Sequence, residues 1–314
     1  MATVVQYERF GGPEVLEVVQ VPDPAAPADG VVVDVKAAGV NPIDAKVRSG
    51  KRPSGEITAP RRIGSDAAGI VSEVGADVRG WAVGDEVVVR NAHGAYATKL
   101  TASAAQLVRK PGAVSWEVAA AIGVPVSTAY QALRSLGVGE GTTLLLHSGS
   151  SSVGKAAIQF AHRWGATVIA TASEVNHARL RELGAIPVSY GPGLVDRVRA
   201  VAPAGIDRVL DVAGTEDALD ASFELVSDRS HIATLVAGAR AAGLGIRAWG
   251  GGSPVPLTAE EQALRAEGYD VVLDLLTRGE FQIDIARAFP LAEVAEAHRL
   301  VETGHPGGKV LLIP

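Results

Sequence analysis

A two-part α/β architecture, a doubly wound parallel sheet joined to a β-rich domain, is the fold class this sequence predicts. Three observations carry that expectation. Residues 1–110 hold short, Val-dense segments bounded by glycines. From residue 142 the chain alternates strand-like and helix-like segments, the rhythm of a parallel sheet covered by helices. The whole has 314 residues, 47% apolar and 20% charged with 36 Gly, enough to bury one large or two ordinary cores.

The elements follow in order. Residues 31–36, 68–74 and 85–90 read as strands, the latter two set among Gly64, Gly69, Gly75, Gly80 and Gly84 in the manner of a small barrel or sandwich. Ser115 with Glu117 opens a helix whose pattern Pro125 interrupts. Residues 142–147 are a strand, then comes a Gly/Ser turn and an amphipathic helix to Trp164. Residues 167–172 form the next strand, followed by a helix through Leu183. Further strands are expected at 207–211, 231–236 and 244–249. The tail holds helices at 270–277 and 291–301 and a strand at 309–313. The division expected is residues 1–119 with 259–314 for the β-rich domain and 120–258 for the parallel sheet.

Composition narrows the chemistry. There is no cysteine, which excludes disulfides, a thiolate nucleophile, iron–sulfur clusters and Cys-containing zinc sites. No two of the seven histidines, His93, His147, His162, His177, His231, His298 and His305, lie three or four residues apart, so no metal is expected from a helical pair. Net charge is −6, against a general nucleic-acid binder. The first ten residues include Glu8 and lack an apolar signal core, and the longest uncharged run, 118–133, is too short and polar to span a bilayer. A cytoplasmic protein is the resulting expectation.

The turn after the first strand of the parallel sheet reads Ser148-Gly149-Ser150-Ser151-Ser152-Val153-Gly154. Strand, small-residue turn and helix N-terminus form an anion cradle, with backbone amides facing a phosphate. The three-glycine dinucleotide fingerprint is incomplete, since its positions hold Ser148, Ser151 and Gly154. An overlapping reading is a P-loop, Gly149 to Lys155, in which Ala156 stands where a magnesium-binding hydroxyl belongs. About 20 residues past such a turn an NAD site places a carboxylate for the ribose hydroxyl. Ser173 is there instead, followed by Glu174. A hydroxyl leaves room for a 2′-phosphate, and Asn176, Arg179 and Tyr190 lie nearby as donors.

Taken together, the chain resembles the zinc-independent quinone oxidoreductases, the zeta-crystallin-like branch of the medium-chain dehydrogenase/reductase superfamily. The resemblance runs from Gly11-Gly12-Pro13-Glu14-Val15-Leu16 to Gly308-Lys309-Val310-Leu311, through 37–44, 64–69, 83–87 and 127–133 in order. Where zinc-dependent relatives carry Gly-His-Glu, this chain has Gly64-Ser65-Asp66. The resemblance implies a Rossmann domain, a chaperonin-like (GroES-like) catalytic domain and a cleft between them at the carboxyl ends of the parallel strands. It implies NADPH as cofactor, a quinone or an enal or enone as substrate, and a homodimer. Asn41 resembles the family's residue beside the nicotinamide, although Asn also suits a turn before Pro42. Thr128 resembles the residue that meets the carboxamide, and Lys309 joins the cofactor-binding set. Lys46 matches a position where several such reductases place Lys, and Asn41 with Lys46 are the catalytic candidates. Asp44 and Arg48 match a family spacing read most simply as an internal salt bridge. Trp249 and the Gly250–Gly252 loop are expected to flank the pocket. A non-catalytic NADPH-binding protein and a P-loop nucleotide hydrolase are the competing classes.

Overall fold

The computed structural model describes residues 1–250, 253–304 and 306–314. Gly251 and Gly252 of the expected loop, and His305, lie outside the described residues. The chain divides into two compact units, Met1–Val124 with Tyr269–Pro314, and Pro125–Gly268. No described helix is long and apolar enough to cross a membrane.

The first unit opens with β1 (Ala2–Tyr7), β2 (Glu17–Val21) and β3 (Gly30–Val40), then α1 (Pro42–Arg48), β4 (Arg61–Arg62), β5 (Asp66–Val74), β6 (Glu86–Val89), β7 (Lys99–Ser103), β8 (Leu107–Arg109) and α2 (Trp116–Ala121). Strand β1 pairs antiparallel with β2 and β4 in a small sheet. The longest strand, β3, organises a larger one. Val31, Val33 and Val35 alternate into the core, the placement β-branched residues favour on a pleated surface. Two register shifts interrupt the pairing of β3 with β5, the first with the extra residue, Ser72, on β5 and the second with the extra residue, Lys36, on β3, and β3 pairs antiparallel with both β5 and β7. Helix α1 starts where Asp44 accepts the Asn41 amide at 2.9 Å, with Pro42 in the first turn where its missing N–H costs nothing.

Helix α3 (Gly123–Leu136) begins in the first unit and continues into the second. Pro125 sits in its first turn and so starts the helix rather than interrupting it. The second unit then runs β9 (Thr143–His147), α4 (Ser152–Arg163), β10 (Thr167–Thr171), α5 (His177–Glu182), β11 (Ala185–Val188), α6 (Leu194–Val201), β12 (Arg208–Asp211), α7 (Glu216–Leu225), β13 (Ile232–Thr234), α8 (Gly238–Leu244), β14 (Arg247–Ala248) and the start of α9 (Ala259–Thr277). Among the described residues the sheet is parallel throughout, in the order β11-β10-β9-β12-β13-β14. That is the 3-2-1-4-5-6 order of the dinucleotide-binding fold, with its switch point between β9 and β12. Leu144, Leu145 and Leu146 are wholly buried, as a strand covered on both faces requires.

The strand expected at 244–249 is a correction. Residues 238–244 are helical and only Arg247–Ala248 are extended. The Ala-rich run favours helix, and Gly245 at φ 68° ends it and turns the chain into β14.

The chain returns to the first unit through β15 (Ile285–Pro290), α10 (Val294–Glu302) and β16 (Lys309–Ile313). Strand β16 pairs parallel with β15 and antiparallel with β3, with Val310 opposite Val40. That register sets Lys309 beside the end of β3, where Asn41 begins α1.

Candidate functional site

In the second unit the cradle is built by the β9–α4 turn. Ser148 takes φ 62°, in the left-handed region. Its carbonyl accepts the Ser151 hydroxyl at 2.8 Å and the Ser151 amide at 3.1 Å. Ser151 caps α4, its Oγ accepting the Gly154 amide at 3.0 Å. The amides of Ser152 and Val153 fall in the first helical turn, where no intrahelical acceptor exists. Together with the Ser150 amide they present the donors and positive helix end that suit a phosphate, Gly149 lending the turn its small size. A Cβ at Gly154 would lie 2.4 Å from the Ser148 carbonyl, so the turn and helix close only on glycine.

The same geometry disfavours a P-loop. Helix α4 already starts at Ser152, so Gly154 and Lys155 are helical rather than part of a wrapping loop. Asp211, at the end of β12, is wholly buried and committed. It accepts the Ala213 and Gly214 amides at 2.9 and 2.8 Å and the Thr234 hydroxyl at 2.7 Å.

At the end of β10, Asn176 donates to the Ser173 hydroxyl at 2.9 Å. His177, which the sequence reading passed over, occupies the same turn and donates from Nε2 to the Ala172 carbonyl at 3.2 Å. Arg179 pairs with Glu182 at 3.0 Å. Tyr190 is exposed, on a loop whose carbonyls from Ser189 to Pro192 are gathered by the Arg197 guanidinium. Thr128 is buried in α3, and Trp249 donates to Glu261 at 2.6 Å.

Each of four parallel strands ends on a buried polar residue: His147, Thr171, Asp211 and Thr234. Only their position at the last residue of an apolar strand could have revealed them in the sequence. Burial pushes the His147 imidazole down to about 4, against the pull of the Asp211 charge.

The first unit carries a separate buried polar cluster. Asp66 accepts Asn41 Nδ2 at 2.8 Å, Lys309 Nζ at 2.9 Å and the Val124 amide at 3.0 Å. Lys309 also donates to Asn41 Oδ1. Asp66, Lys309 and Asn41 are all 3% exposed or less, so each polar group is satisfied by the others. A Cβ on Gly123 would fall 2.1 Å from Asp66 Oδ1, so glycine admits the carboxylate to the start of α3. Asp44 accepts the Tyr96 hydroxyl at 2.7 Å, and its carboxyl is raised to about 6 by burial, with the Asp66 charge adding to the rise.

The expected Asp44–Arg48 salt bridge does not form. Arg48 is buried, pairs with Glu302 at 2.6 Å, and donates to His298 Nδ1 at 3.1 Å and the Gly11 carbonyl at 3.2 Å. Asp44 and Arg48 lie one helical turn apart, but their partners come from Tyr96 and α10. Lys46, the other catalytic candidate, is half-buried, and among the described residues its ammonium has no hydrogen bond or ion pair.

Among the described residues no group of three or more His, Asp or Glu could hold a metal ion. The donor chemistry agrees: the carboxylate at the family's zinc motif, Asp66, is already neutralised by the Lys309 ammonium.

Comparison with known proteins gives the same family. Residues 27–122 match the alcohol dehydrogenase GroES-like domain, and residues 183–312 match a model described as zinc-binding dehydrogenase. Quinone oxidoreductase 1 of Escherichia coli K12 is 31% identical over 100% of both chains. The solved quinone oxidoreductase of Coxiella burnetii superposes with a TM-score of 0.84 at 31% identity, covering 100% of this chain and 99% of that one. The Escherichia coli quinone oxidoreductase complexed with NADPH gives 0.85 at 26% identity over 99% and 100%. With relatives aligned end to end and its one would-be metal carboxylate held by a lysine, this chain belongs to the zinc-independent quinone oxidoreductases of the medium-chain dehydrogenase/reductase superfamily.

Proposed function

We propose that this chain is an NADPH-dependent reductase of quinones or α,β-unsaturated carbonyls, working without a metal. The observation that carries the reading is the second unit's cradle, paired with a β10 strand whose end bears Ser173 in place of a ribose-binding carboxylate. Within the Ser148–Gly154 turn, the amides of Ser150, Ser152 and Val153 would hold the pyrophosphate, while those of Gly149 and Ser151 hold the turn itself through the Thr171 and Ser148 carbonyls. Ser173, Asn176, Arg179 and Tyr190 would hold the 2′-phosphate, and Thr128 would meet the cofactor directly, while Asn41 and Lys309, committed to each other and to Asp66, would serve the cofactor-binding set by shaping it rather than by free polar groups. Bound NADPH supplies a hydride; the proton that completes a hydroquinone comes from water. Lys46, with its uncommitted ammonium, would polarise the substrate oxygen, as a fixed donor does for a developing oxyanion. Asn41 would act through its packing on Lys309 and Asp66, which fixes the chain entering α1.

Fluorescence titration tests the cofactor. NADPH should bind more tightly than NADH, and Ser173→Asp should reverse the order by setting a carboxylate against the 2′-phosphate. Equal affinities, or tighter NADH in the wild type, would assign the NAD role to Glu174 and overturn the reading.

A further inference from the structure

Ser148 is a serine held where glycine is normal, at a cost of about 1 kcal/mol. What holds it there is a chain of side chains that leads away from the cradle. The Ser148 amide donates to Thr171 Oγ1 at 3.1 Å. Thr171 Oγ1 lies 3.4 Å from His147 Nδ1, and His147 Nε2 lies 3.0 Å from Ser222 Oγ. Ser222 Oγ in turn donates to the Ala218 carbonyl at 2.6 Å, inside α7.

The direction of every bond is fixed. A carbonyl only accepts, so the Ser222 proton points to Ala218. Ser222 therefore accepts from His147 Nε2–H, which leaves Nδ1 to accept the Thr171 proton. The Thr171 oxygen is then free to receive the Ser148 amide. Thr171, His147 and Ser222 are 3%, 1% and 0% exposed, so water does not substitute for a missing member. The Thr171 carbonyl accepts the Gly149 amide at 2.9 Å, tying the next residue of the turn to the same strand end.

We propose that the Ser222–His147–Thr171 chain is a positioning device for the cradle: it fixes the left-handed Ser148 turn and so aims the amides of the β9–α4 turn at the cofactor's pyrophosphate. Thr171 and His147 are positioning residues, touching no substrate. The inference rests on the reading that this turn takes the cofactor phosphates, and it adds that the turn's shape is set from α7, across the ends of β10 and β9. The 2′-phosphate region at Ser173 lies outside the chain of bonds, so the device acts on one phosphate site and not on the other.

The test uses two cofactor fragments and calorimetry. The fragment 2′,5′-ADP carries a 5′-phosphate for the cradle and a 2′-phosphate; 2′-AMP carries only the latter. Thr171→Val keeps the shape of the side chain and removes the hydroxyl. It should weaken 2′,5′-ADP about tenfold and leave 2′-AMP within about twofold, the loss of one well-placed hydrogen bond. Thr171→Ser should restore the affinity. Ser222→Ala, which touches no cradle residue, should weaken 2′,5′-ADP selectively and less strongly, and it serves if Thr171→Val fails to fold. Equal weakening of both fragments, no change in either, or no rescue by serine overturns the proposal. Wild-type protein that binds neither fragment overturns the cofactor reading, and the proposal with it.

Discussion

Asp44 shows how a single buried residue sets a pH dependence. Its carboxyl is raised to about 6 by burial, while the unfolded chain titrates near 3.8. The folded state therefore binds more protons between those values. The contribution to stability is fully present below about 3.8 and is lost as pH rises through about 6. Asp44→Asn keeps an oxygen for Tyr96 and the Asn41 amide but cannot ionise. From pH 4 to 7, wild type should lose stability relative to the variant by ~2–3 kcal/mol, read from denaturant unfolding. A wild type that gains on the variant over that range would mean Lys309 and Tyr96 favour the ion more than burial opposes it. Lys46 is the proposed donor to the substrate oxygen. Lys46→Met should lower turnover about 10²-fold with NADPH affinity unchanged, because only the transition state loses a donor. Weaker NADPH binding with normal turnover would place Lys46 on the cofactor instead, and no change in either would remove it from the site.

At the level of elements, the sequence showed most clearly what repeats locally. The β9–turn–α4 unit was legible because strand, small residues and helix are contiguous, and because the serines at 148 and 151 still serve the turn, one in the left-handed region and one as a cap. The first unit's cluster was not legible. Lys309 and Asn41 are 268 residues apart, and only the pairing of β16 with β3 brings them together. The Asp44–Arg48 expectation failed for the same reason: the opposite charge one helical turn away was outcompeted by Tyr96 and Glu302, both distant along the chain. Strand β14 is an edge of the parallel sheet, and it is two residues long rather than the six expected. Its outer side has no strand partner among the described residues, which leaves unpaired backbone groups for a second copy to meet across a two-fold axis. Light scattering should therefore give about twice the 32.2 kDa of the chain. A mass of one chain would contradict the dimer.

For the whole molecule, the chain divides into two units. The parallel sheet, in dinucleotide-binding strand order, offers amides and a helix end, and the β-rich unit buries the Lys309–Asp66 pair while leaving the Lys46 ammonium uncommitted. The central claim is that this arrangement passes a hydride from NADPH to a conjugated carbonyl. Single-turnover mixing of the enzyme, carrying NADPH deuterated at one or the other C4 position, with a quinone or an enone tests it most directly. The account predicts that NADPH is oxidised in step with reduced product, slowed by deuterium at one C4 position and not at the other. Tight NADPH binding with no oxidation by any quinone, enal or enone would contradict it and leave a protein that binds the cofactor without using it.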